Sequence, residues 1–97
     1  MLGVIAKLTI KPGANADFEA TMKALQAKVR ADEPGNKLYA LHKTAESNVY
    51  VMLERYDDQA ALERAAQTPE MKALHADGAK FIGRIKSWVV EEKTIVG

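Results

Sequence analysis

Apolar residues run along the chain in two rhythms. Leu2 to Ile10 is dense in β-branched and apolar residues and stops at Lys11-Pro12-Gly13, which predicts a strand closed by a turn. Phe18, Met22, Leu25 and Val29 then recur at helical spacing, predicting a helix to about Ala31 with Asn15 as its cap and Asp17 and Glu19 in its first turn. Glu33-Pro34-Gly35-Asn36 ends it. Leu38 to Thr44 and Asn48 to Tyr56 read as a hairpin around Ala45-Glu46-Ser47-Asn48. Asp57 or Asp58 can cap a second helix to about Gln67, and Thr68 a third, with Pro69 at its first position where the missing N–H costs nothing. Ile85 to about Thr94 closes the order as a last strand.

The predicted order, β-α-β-β-α-α-β, is an α+β, ferredoxin-like split unit with its second helix broken in two and helices on one face of a four-stranded antiparallel sheet. Such a sheet with one wet face should alternate apolar and polar residues cleanly. Here both rows are apolar: Val49, Val51 and Leu53 against Tyr50, Met52 and Tyr56, with Trp88 and Val90 in the last strand. Tyr, Met and Trp are enriched at interface centres, so the second face is expected to meet another copy in a homodimer.

The 97 residues suit one domain, residues 1–97. Fourteen Lys and Arg against thirteen Asp and Glu, interspersed, give a net charge of +1 and no footprint for nucleic acid. With no cysteine there is no disulfide, thiolate nucleophile or Cys-based metal site. The first ten residues lack the pattern of a signal peptide and no stretch approaches a membrane span, so a cytoplasmic location is expected.

Several segments resemble the antibiotic biosynthesis monooxygenase family. Val4-Ile5-Ala6 through Lys11-Pro12-Gly13 is similar to its first strand and turn, and Glu33-Pro34-Gly35 with Tyr39, Leu41 and His42 to its second strand. Leu53-Glu54-Arg55-Tyr56 resembles a Leu-Glu-x-Trp pattern, with Tyr56 where Trp is usual, and Thr68-Pro69 through Lys72-Ala73 the start of the last helix. The resemblance implies a dimeric α+β barrel, and for one branch a quinol monooxygenase chemistry without cofactor or metal. A haem-degrading branch pairs an Asn, a Trp and an iron-binding His. His75 falls at the last of these, but Ala6 and Ala65 stand at the others, which argues against that activity.

Four residues are candidates for chemistry. His75 is the natural proton acceptor for a phenolic substrate, since histidine titrates near neutrality. His42 and Tyr39 are alternatives whose facing depends on the phase of the second strand, and Arg55 is a candidate for orienting an anion. Glu54 reads as half of an interface ion pair with Lys7, Lys86 or an Arg from the other copy. Phe18, Met22, Val51, Leu53, Met71 and Leu74, with Ile82 beside them, are expected to wall an apolar pocket. The two histidines find no third ligand for a metal. The reading is a monooxygenase oxidising a small quinol or polyketide-like phenol with O₂. The alternatives are an isomerase or tautomerase of an enolisable carbonyl compound and a dimeric ligand-binding or stress-response protein.

Overall fold

The computed structural model describes residues 1–91, with the backbone alone at the last of these. Strand β1 (Leu2–Ile10) leads to helix α1 (Asn15–Asp32), strands β2 (Asn36–Lys43) and β3 (Val49–Tyr56), helices α2 (Gln59–Gln67) and α3 (Pro69–Ala79), and strand β4 (Ile82–Glu91). The sheet is antiparallel in the order β2-β3-β1-β4, and the helices lie on one of its faces. This is the ferredoxin-like order expected of the split unit. The last strand begins three residues before the expected Ile85, after a register shift between Thr9 and Ile10, and its expected end near Thr94 lies outside the described residues.

Local chemistry accounts for the element boundaries. The Asp58 carboxylate accepts from the Ala61 N–H at 2.8 Å and caps α2, and the Thr68 hydroxyl accepts from the Met71 N–H at 3.2 Å and caps α3 ahead of Pro69. Asn15 does not cap α1. It is the first helical residue, and its amide donates to the Ser47 carbonyl at 2.6 Å and the Tyr50 hydroxyl at 3.0 Å. The side chain thus holds the β2–β3 hairpin to α1 and donates to a hydroxyl that also needs an acceptor of its own. Glu19 lies beyond the first turn and accepts from the same Tyr50 hydroxyl at 2.5 Å, which holds its carboxyl below the usual range.

The stripe Phe18, Met22, Leu25 and Val29 is buried against the sheet, and Phe18 meets the ring of Tyr50 at 5.1 Å. That contact exposes an error in the expected phase of β3. Val51 pairs with Lys7 and Leu53 with Ile5, while Tyr50, Met52, Glu54 and Tyr56 pair with Leu8, Ala6, Val4 and Leu2. Partners across an antiparallel ladder point the same way, so the Tyr50 row faces the helices and the Val51 row faces away. Both rows are apolar, so alternation alone could not choose between them.

The turn after α1 carries a buried carboxylate. Glu33 is 5% exposed and accepts from the Gly35 N–H at 2.8 Å and from two nitrogens of Arg64 at 3.1 and 3.2 Å. Gly35 is needed here for space, since a Cβ on it would stand 2.6 Å from the Cβ of Ala61 and 2.8 Å from the Glu33 carboxylate. Gly13, at φ 80°, serves the left-handed turn instead.

Two stability measurements test this corner. Gly35→Ala should cost about 1–3 kcal/mol by overpacking, and an unchanged denaturant midpoint would remove the steric constraint. The Glu33 carboxyl is held below its ordinary value of 4.5, first by the Arg64 hydrogen bonds. It therefore adds stability that is present above that value and lost as pH falls through the folded pKa. Melting temperatures of the wild type and Glu33→Gln should differ most at neutral pH and converge in acid; a gap independent of pH would contradict the assignment.

Candidate functional site

Between the helices and the sheet lies a cavity of about 480 Å³, within the range of roughly 300–1,000 Å³ typical of small-molecule sites. Ala6 and Leu8 of β1 and Met52 of β3 form its floor, and Met22, Leu25, Leu74 and Gly78 its roof. Tyr39 and Glu54 stand at the β2–β3 side, and Ile82 to Ile85 at the β4 side. The cavity is closed at the first of these sides and open at the other. Tyr39 is 4% exposed, whereas Ile85 and Val89, on the helix-facing row of β4, are 58% and 59% exposed.

Helix α3 places His75 at the rim, one turn after Met71 and beside Leu74. Its ring is exposed on its outer side but sits against the apolar wall, and that desolvation pushes its pKa below the ordinary 6.5. The imidazole is therefore neutral, and able to accept a proton, at neutral pH. Gly78, one turn further, is buried, and a Cβ there would meet Met22 Sδ at 3.8 Å, an ordinary contact. No clash requires glycine at this position; its missing side chain leaves room in the roof.

The closed end carries the polar groups. Tyr39 and Glu54 are direct partners across the β2–β3 ladder, and the Tyr56 hydroxyl donates to Glu54 Oε1 at 2.7 Å. Burial raises the pKa of the Glu54 carboxyl, against the lowering effect of the Tyr56 hydrogen bond. Burial, with the neighbouring Glu54 charge adding to it, raises both tyrosines far above the usual phenol range. Among the described residues no cation pairs with Glu54: Lys7 and Lys86 lie on the other face of the sheet. The expected interface ion pair is thereby replaced by a carboxyl in the cavity wall.

The other candidates divide by face. Of the expected pocket residues, Met22, Leu74 and Ile82 line the cavity. Phe18 and Met71 are buried in the adjoining core. Val51 and Leu53 are on the opposite face, as are His42, which pairs with Val51, and Arg55, which pairs with Gly3 and Leu38. The His42 ring nitrogen Nδ1 lies 3.2 Å from the Ala40 carbonyl on that face. Neither His42 nor Arg55 reaches the cavity, because the strand period of two fixes their side. Glu54 was not foreseen as a cavity residue, although its row, Tyr50-x-Met52-x-Glu54-x-Tyr56, holds a lone carboxylate among large apolar and aromatic side chains, and that was the available signal.

No group of three or more metal-ligating side chains occurs among the described residues, and no helix there is long and apolar enough to cross a membrane.

The sequence matches the model of the antibiotic biosynthesis monooxygenase family over residues 1–77. YcnE of Bacillus subtilis (strain 168), named as a candidate monooxygenase, is 31% identical over 83 residues, covering 84% of this chain and 86% of its own. A solved structure of a candidate antibiotic biosynthesis monooxygenase from Caulobacter crescentus CB15 is 34% identical and superimposes with a TM-score of 0.87, covering 92% of this chain and 86% of that one. SnoaB from Streptomyces nogalater, a cofactor-independent oxygenase, shares the fold at 20% identity and a TM-score of 0.85, over 98% of this chain and 95% of its own. With a family model spanning most of its length, the chain belongs to the antibiotic biosynthesis monooxygenase family.

Proposed function

We propose that the protein is a cofactor-independent monooxygenase that oxidises a small quinol or polyketide-like phenol with O₂. The observation that carries this reading is the cavity: apolar walls, a neutral imidazole at the rim and a carboxyl with two phenols at the closed end. Family membership supports oxygen chemistry, and SnoaB is an instance of this fold in a cofactor-independent oxygenase.

In this mechanism His75 removes a proton from the bound substrate and becomes an imidazolium. The resulting electron-rich anion reacts with O₂, the substrate supplying all four electrons. One oxygen atom ends in the product and the other in water, so a quinol gives a hydroxyquinone and an anthrone CH₂ gives C=O. The apolar wall excludes water and keeps the anion from being reprotonated. Desolvation suits the base to this task, because the proton-accepting form is then present across neutral pH.

We also infer a homodimer formed through the sheet face away from the helices. There Trp88 is 44% exposed beside Ile5 and Val90, in line with the half-buried Val51 and Leu53. The Lys86 ammonium lies 5.1 Å from the Trp88 ring centroid, a cation–π contact that covers only part of this surface. Trp88→Glu should halve the mass seen by light scattering while preserving the circular dichroism spectrum. A wild type that already scatters as a monomer would refute the dimer.

Oxygen uptake by metal-free protein, with reduced naphthoquinones and anthrones and autoxidation subtracted, tests the chemistry. Turnover should fall about 10²–10⁴-fold in His75→Ala. In the wild type the acid limb of kcat/KM should have its midpoint below 6.5, because activity is lost only as pH drops through the depressed histidine pKa. Product formed equally well under nitrogen would instead establish an isomerase, and a limb that survives His75→Ala would assign the base to another group.

A further inference from the structure

The cavity's two ends differ in chemistry, and the difference bears on which ligands it accepts. The β4 end is open and lined by Ile82, Gly83 and Ile85 with His75 above it, so it admits the ligand and leaves much of that part exposed. The β2–β3 end is closed and holds Glu54 between Tyr39 across the ladder and Tyr56 two residues along the strand. One oxygen of Glu54 already accepts from Tyr56, which fixes the carboxylate's position and leaves its second oxygen without a donor among the described residues. The Tyr39 ring is buried, and its hydroxyl makes no hydrogen bond to a described residue.

A carboxylate oxygen that faces the cavity without a protein donor can accept from a bound molecule, and a ligand that brings an O–H to it gains a charge-assisted hydrogen bond. A ligand presenting an ether or a methyl group there does not. We propose that Glu54 anchors a free hydroxyl of the substrate at the closed end of the cavity, with Tyr39 beside it, so that the site selects aromatic diols with hydroxyls at opposite ends. One hydroxyl is then held at Glu54 and the other reaches His75 at the rim. This rests on the oxygenase reading only for the identity of the reaction; the selection itself is a matter of binding. Glu54 is a specificity-determining residue in this scheme and His75 the base.

Anaerobic calorimetric titration with 2,6-dihydroxynaphthalene and its dimethyl ether, which share a ring system but in which methyl groups replace both O–H protons, tests it without turnover. Wild type should bind the diol more tightly. Glu54→Gln keeps an acceptor for Tyr56 but presents an amide N–H₂ to the cavity, and should weaken the diol at least about tenfold while leaving the ether unchanged or tighter. Tyr39→Phe should weaken the diol by a smaller factor, and provides the test if Glu54→Gln fails to fold by circular dichroism. Equal weakening of both ligands by either variant would mean a structural role and overturn the proposal, as would no effect. Diol selection by Glu54 without any oxygen uptake would sink the oxygenase reading alone, whereas uptake without diol selection would sink the anchor alone.

Discussion

The register between β1 and β3 decides everything built on this sheet. These are its two central strands, and Leu8 opposite Tyr50 and Ala6 opposite Met52 place the Tyr50 row under the helices. A slip of one residue would bring Val51 and Leu53 inward and turn Glu54 out of the cavity, since the strand period is two. The register is held at both ends. Phe18 meets Tyr50 in a tilted ring contact beneath α1, and Tyr56 packs with Ala61 and Ala65 of α2. Small alanines in α2 leave room for the Tyr56 ring, and that ring in turn sets where the Glu54 carboxyl stands.

Three tyrosines lie on the helix side of the sheet, and their hydroxyls meet different fates. Tyr50 is saturated by Asn15 and Glu19, and Tyr56 donates to Glu54. Both are ordinary solutions to burying a polar atom. Tyr39 has no such partner among the described residues, and it is the one that borders the cavity. The bonded hydroxyls mark the packed core, and the one left open to the cavity marks the space.

Much of this was legible in the sequence, and most of what was missed has one cause. The strands, the α1 stripe and the two caps at Asp58 and Thr68 rest on local signals that the structure reproduces. The face each strand row adopts is not local. In β3 both rows are apolar, so the hydrophobic pattern carried no phase information, and only the partner strands resolve it. That ambiguity put Val51 and Leu53 in the pocket and cast Glu54 as an interface ion pair, and the same lack of phase in β2 left His42 and Tyr39 undecided. Asn15 is a separate case: as the first residue of a helix it reads as a cap, but the hairpin brings Tyr50 within reach of its amide and tertiary bonding overrides the local signal.

The break at Thr68-Pro69 lets the second half of the helical layer do two jobs. An uninterrupted helix over the span of α2 and α3 would be a straight rod about 30 Å long, and one face of it would have to serve two different surfaces. Thr68 instead adopts an extended backbone between the two segments. Helix α2 can then seat Ala61 and Ala65 on Tyr56, while α3 turns to lean on α1 and reaches the sheet side through Met71 and Leu74. Helix α3 leaves the helix-facing Ile85 and Val89 of β4 exposed, and the space beside Ile85 is the open end of the cavity, with His75 over it. The two helices thus meet different surfaces across a break that is legible as two adjacent letters, a cap and a proline, and the second of them carries side chains that roof the cavity.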